Sequence, residues 1–211
     1  MVHADRWYRL AFWLAVLTIV YNLLEGLVSV GFGLADESLT LFGFGLDSFI
    51  EMISGLGILA MVLRIWRHPG VPKGRFEKTA LQITGTGFYS LVVILSAMAL
   101  YNLATGHKPE TTLAGVIIAL ISITLMWLLI HYKTQAGLAL GSEAILADAK
   151  CARVCMYMSV LLLASSLIYA LSGIWFVDSL GALGLAYLSF TEGREAFAKA
   201  NGAECGCHIS G

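Results

Sequence analysis

The sequence predicts an all-α integral membrane protein, a bundle of six transmembrane helices with cytoplasmic N- and C-termini. Three observations carry that expectation. Of the 211 residues, 58% are hydrophobic and 13% charged, and the mean hydropathy is +0.81. A soluble domain averages about 45–50% apolar and about 25% charged residues, so this chain has too little polar surface to cover a water-soluble globule. The apolar residues fall into stretches near the roughly 20 residues that cross a hydrocarbon core, at 10–32, 39–64, 79–104, 111–132, 138–171 and 175–197. Finally, Lys and Arg gather in alternate connections, which sets orientation.

The first stretch follows "MVHADRWYRL" and runs to about Gly33. That is longer than the roughly 7–15 residues of a signal-peptide core, so it reads as a retained first span. Glu25 lies in its middle. Arg6 and Arg9 precede it, and Arg64, Arg67, Lys73, Arg75 and Lys78 fill the 2–3 connection. Lys133 is read as part of the 4–5 connection, and Arg194 and Lys199 belong to the C-terminal end. With six spans all of these fall on one side, whereas "ADES", "TGHKPE" and "IWFVD" on the other hold only Lys108. The domain is expected to cover 1–199, with a flexible Cys/His tail at 200–211. The expected location is a bacterial inner (plasma) membrane.

The second stretch holds "FGLDSFIEM". Asp47 and Glu51 are spaced i, i+4, on one helical face about 6 Å apart along the axis. Two acids so placed repel each other unless a cation or proton is shared between them. The alternative is a neutral pair hydrogen-bonded to other helices. A carboxylate in the bilayer centre costs roughly 2.5–3.5 kcal/mol even on the lenient insertion scale, so it turns to the bundle interior and usually serves function.

The third and fourth stretches hold no comparable group. The fifth is long, and its first turns are expected to project from the membrane or run along its surface. It contains "LADAKCARVCMYM", with Cys151 and Cys155 again at i, i+4 and Asp148 one turn earlier. Free cysteines are often simply buried small hydrophobes. Two such pairs on two spans at similar depth, however, can converge into the tetrahedron that Zn²⁺ prefers. Asp148 is either a ligand or proton-path residue, or a structural partner; Lys150 pairs with an acid or reaches the cytoplasmic interface by snorkelling, and Arg153 pairs with Asp148 or Glu143. Glu25 lies on an ion path, relays protons or bonds a neighbouring helix. In the tail, Cys205, Cys207 and His208 form a soft donor set suited to Zn, Cd, Hg or Cu(I), or an uncommitted end.

The composition excludes a disulfide-stapled secreted scaffold. A net charge of −1 without a basic region argues against nucleic-acid partners.

The motifs "GFGLDSFIE" and "ADAKCARVC", together with "GIWFVDSLGALGLAYLSFTEG", resemble the cation diffusion facilitators. The resemblance covers most of residues 20–197 and implies a six-span, dimeric, proton-coupled exporter of divalent metals. It implies Asp47, Glu51, Cys151 and Cys155 as metal ligands, with Cys151 at a position where the family has His and Cys155 where it has Asp. Phe44 stands where many members have an acid. The sequence resembles a short form without the family's C-terminal cytoplasmic domain, so a homodimer is expected to form through transmembrane helices.

The expected function is export of a divalent ion from the cytoplasm in exchange for protons, with no enzymatic activity and no permanently bound cofactor. Thiols beside carboxylates favour Zn²⁺ or Cd²⁺ over Fe²⁺, Hg²⁺ or Cu(I). Two other readings remain: a membrane thiol oxidoreductase using the Cys pairs, and a metal-binding membrane protein that does not transport. The first lacks the usual Cys-x-x-Cys spacing and leaves Asp47 and Glu51 unexplained.

Overall fold

Backbone N–H and C=O groups in lipid must be bonded within their own segment, so apolar runs of this length become helices. The computed structural model describes residues 2–67, 75–106, 108–109 and 113–201. Among these residues the elements are α1 (Val2–Ala35), α2 (Leu39–Arg67), α3 (Arg75–Thr105), α4 (Leu113–Leu140), α5 (Glu143–Ser172) and α6 (Val177–Ala200). The first five are long and apolar enough, by length and composition, to cross a membrane. The sixth occupies the expected last span, but Asp178, Glu192, Arg194, Glu195 and Lys199 make it less apolar, and it packs against α3, α5 and α2.

The helices pair as α1 with α2, α3 with α6 and α4 with α5, and α2 also touches α3, α5 and α6. Glycine permits the closest approach. A Cβ on Gly45 would lie 2.7 Å from the backbone nitrogen of Val30, so α1 and α2 touch backbone to backbone two residues before Asp47. The outer faces carry exposed Val93, Leu100, Tyr101, Leu171 and Tyr187, as a lipid-facing surface requires.

One buried core joins Leu41 and Phe44 of α2 to Leu95, Met158, Leu162 and Leu185. A smaller cluster of Ala11, Val62, Ala136 and Ile145 closes the opposite end of the bundle, where α1 begins and α4 ends. On α2, Asp47 and Glu51 lie between Phe44 of the first cluster and Val62 of the second, and on α5 Cys151 and Cys155 lie between Ile145 and Met158.

Asp178, at the start of α6, fixes the position of α2. Its carboxylate accepts from Ser38 Oγ at 2.8 Å, from the Leu39 N–H at 2.7 Å and from the Thr40 N–H at 3.3 Å. The first N–H groups of a helix have no partner within it, and here another helix supplies one.

The fourth and fifth helices differ from the sequence expectation. Residues 133–140 continue α4, and the turn is Gly141–Ser142. Gly141 is at φ +57, and the Ser142 hydroxyl accepts from the Ile145 N–H. Lys133 is therefore not in a connection; its side chain is 3% exposed inside α4. The first turns assigned to the fifth span, 138–142, are the end of α4 and this turn. Gly137 lies within α4, and a Cβ there would meet Leu146 Cδ2 at 2.7 Å, so the position suits glycine.

Candidate metal centre

The carboxylates of α2 lie at the depth its length sets. At 1.5 Å rise per residue, Asp47 and Glu51 lie about 12 and about 18 Å from the start of α2. Asp47 is 2% exposed, and its Oδ1 has no hydrogen-bond partner. An acceptor left unpaired in an apolar interior is costly, and a cation or a proton would remove that cost.

Glu51, one turn on, meets two other helices. The Cys155 thiol of α5 donates to Glu51 Oε1, and Asn22 Nδ2 of α1 donates to Oε2 at 3.4 Å. Asn22 is 1% exposed, and its own Oδ1 is unpartnered. Sequence reasoning did not single out Asn22; its place three residues before Glu25 on the same span was the available signal. Glu51, Cys155 and Asn22 line one cavity of about 60 Å³, above the roughly 10–15 Å³ that admits a water molecule.

Cys151 lines the same cavity one turn away but has different neighbours. Its sulfur accepts from Lys199 Nζ at 2.9 Å. The ligand atoms of Cys151, Glu192 and Glu195 all lie within 4.8 Å of one another. The two cysteines are free thiols, each facing an acid of a different helix, α2 for Cys155 and α6 for Cys151. Glu192 escaped the sequence reading because "TEGRE" resembles the polar end of a span. Its i, i+3 spacing from Glu195, following an apolar run, was the signal.

Asp148 also lines the cavity, and the partner the structure gives it is Lys133 of α4, 3.0 Å away. Of the alternatives for Asp148, the structural partner is the one the structure gives, but it is Lys133 and neither Lys150 nor Arg153. The side chains of both are exposed, because α5 turns them away from α4.

Glu25 is 7% exposed and joins α1 to α2. Tyr21 donates to its Oε1, and Ser48, adjacent to Asp47, donates to its Oε2 at 3.0 Å. Nearby, Ser122 of α4 and Ser159 of α5 are hydrogen-bonded at 2.9 Å, and Ser159 donates to the Cys155 carbonyl at 2.9 Å. Polar groups thus continue from the Glu51–Cys155 contact into four helices. Cys205, Cys207 and His208 lie outside the described residues.

Carboxylates and thiols together form a donor set for borderline and soft divalent ions, in a cavity whose other walls mix polar side chains such as Asn22, Ser54 and Lys133 with apolar ones such as Phe88 and Met126. The comparisons point the same way. A family model described as the cation efflux transmembrane domain matches residues 15–201. Transmembrane protein 163 of Xenopus laevis is 27% identical over 193 residues, covering 89% of this chain and 66% of that protein. A protein of Methanocaldococcus jannaschii named as an uncharacterized transporter is 25% identical over 178 residues, covering 82% of this chain and 62% of its own length. The chain thus spans somewhat under two thirds of the length of these relatives.

Proposed function

The chain belongs to the cation efflux transmembrane domain family, and from that premise we propose that it exports divalent transition-metal ions from the cytoplasm in exchange for protons. The ion is held by Asp47, Glu51 and Cys155, with Cys151 one turn away on the same cavity. The observation that carries this reading is the contact of the Cys155 thiol with Glu51 across α5 and α2, beside the unpartnered Asp47 Oδ1.

Ligands must be deprotonated to bind metal, so metal and proton compete for the same atoms. The thiol donates to the carboxylate in the metal-free protein, and a proton therefore sits between the two groups an ion would join. Competition of this kind is enough to couple the two fluxes. Zn²⁺ and Cd²⁺ suit the mixed donor set best. The Lys and Arg side chains at the end of the bundle where α2 and α6 finish support a cytoplasmic position for that end. The protein functions as a homodimer through its apolar helix faces.

Proteoliposomes under an imposed pH gradient test the reading. Zn²⁺ or Cd²⁺ flux should fall to background in Asp47→Asn, Glu51→Gln and Cys155→Ser. Unchanged flux in all three would remove the site from the mechanism. Stoichiometric binding without flux in the wild-type protein would favour a metal-holding membrane protein. The oxidoreductase reading is disfavoured by membership of a cation efflux family and by the separate partners of the two thiols.

A further inference from the structure

Cys151, Glu192 and Glu195 are not needed for the Glu51–Cys155 contact, yet they form a donor cluster of their own. They come from two helices, and their ligand atoms lie within 4.8 Å of one another. A cation already stands among them: Lys199 Nζ is 2.9 Å from Cys151 Sγ and 3.1 Å from Glu195 Oε2. A second, independent feature lines the same cavity. Thr84 of α3 is 2% exposed and shares that cavity with Cys151 and Glu192, and its Oγ1 has no hydrogen-bond partner.

We propose that Cys151, Glu192 and Glu195 form a second, shallower position for a soft divalent cation, which the Lys199 ammonium fills in the unloaded protein and leaves as the ion arrives. The depth follows from helix geometry. Cys151 is one turn, about 6 Å, nearer than Cys155 to the end of the bundle where α5 begins. Glu195 and Lys199 lie in the last two turns of α6, at that same end. The cluster runs from partly buried Cys151 and Glu192 out to Glu195, whose side chain is 45% exposed. An ion can reach Glu195 from water and Cys151 from the cavity.

The chemistry favours exchange. A lysine ammonium is a single charge on a flexible stem, and it makes only hydrogen bonds and ion pairs with these donors. A divalent thiophilic ion carries twice the charge and forms a bond to the Cys151 sulfur. Three protein donors leave a coordination position open, as in sites whose metal must exchange ligands. Lys199, on the last turn of α6, can swing toward water without moving the helix. Passing the ion on to Glu51 and Cys155 rests on the reading of that pair as the deeper position, but the shallow position itself does not.

The test is titration of the full-length protein with Cd²⁺ in detergent micelles, followed by cadmium–thiolate absorbance and equilibrium dialysis. The background carries C205S, C207S and H208A so that the tail takes no metal. Glu192→Gln/Glu195→Gln should weaken one class of bound Cd²⁺ by at least about tenfold, the scale on which metal sites respond to lost partners, and leave the other class unchanged. Lys199→Met should tighten that same class, because the competing ammonium is gone. Cadmium binding unchanged in the double variant overturns the proposal, and so does a Lys199→Met protein that binds no more tightly. Should the double variant fail to fold, Lys199→Met alone decides. Glu51→Gln/Cys155→Ser should remove the other class. If it removes nothing while the α6 variants lose theirs, the shallow position stands and the deeper one fails.

Discussion

Lys133 of α4 and Asp148 of α5 form an ion pair 3.0 Å long, with side chains 3% and 15% exposed. The pair crosses the tight Gly141–Ser142 turn and fixes the rotation of α5 about its axis. Asp148 is three residues before Cys151, so the same rotation sets where both cysteines point.

Removing one partner strands the other charge inside the bundle. Lys133→Ala or Asp148→Ala should therefore destabilise the protein by about 3–5 kcal/mol, whereas replacing both with apolar residues of similar size should recover most of that loss. Denaturation midpoints in detergent for the two single variants and Lys133→Met/Asp148→Leu check this. A double variant no more stable than the singles would show that the pair contributes a specific attraction.

The Asp178 carboxylate should matter through α2. It accepts from one hydroxyl and two backbone N–H groups at the start of that helix. Asp178→Ala leaves these donors buried and unpaired, at a cost of about 2 kcal/mol. Asp178→Asn keeps one acceptor oxygen and should lose less. Because Asp47 and Glu51 lie farther along the same helix, metal binding should weaken in parallel with the loss of stability. Binding that falls while the unfolding midpoint stays put would separate the two.

Glu25 should affect coupling more than binding. It bonds to Tyr21 and to Ser48, and among the described residues no hydrogen bond joins it to Cys151 or Cys155. Glu25→Gln keeps the shape and the hydrogen-bond capacity but cannot carry a proton. Cd²⁺ affinity should change less than about tenfold, the lower end of the range for lost metal-site partners, while flux should become less responsive to an imposed pH gradient. Flux and gradient dependence matching the wild type would assign Glu25 to packing. Tyr21→Phe, which removes a single donor, should have a milder version of the same effect.

The legible parts of this protein were those where charge is expensive. Asp47 and Glu51 stand out because nothing apolar explains two acids one turn apart, and the six apolar runs stand out because bilayer thickness fixes their length. Misreadings arose where a polar residue has a cheap explanation nearby. "HYKTQAG" reads as a loop because Lys133 and Gly137 both suggest one, yet the lysine is buried by its ion pair and the glycine by contact with Leu146. Glu192 was passed over because charges at the end of a span are expected to reach water. Only the packing of α6 against α5 shows it turned toward Cys151. Partners of this kind depend on the rotation of one helix against another, which one-dimensional spacing does not carry.

Metal binding should weaken as pH falls. The Cys155 thiol donates a hydrogen bond to Glu51, so an ion joining those two atoms must expel the thiol proton. Lower pH favours the protonated pair, and the dissociation constant for Cd²⁺ therefore rises as pH drops. Across the range in which the pair stays protonated without metal, a plot of log Kd against pH should fall with a slope of at least about one proton per ion. Cys155→Ser should reduce that slope by about one, because the serine hydroxyl is not deprotonated by the ion in this range. Lys199→Met should leave the slope of the Glu51–Cys155 class unaltered, since Lys199 contacts Cys151 and Glu195. Cadmium titrations at several pH values, with proton release measured in weakly buffered solution, give both quantities. A wild-type slope near zero would mean that the ion binds without displacing a proton, and proton exchange would then have to be coupled elsewhere in the bundle.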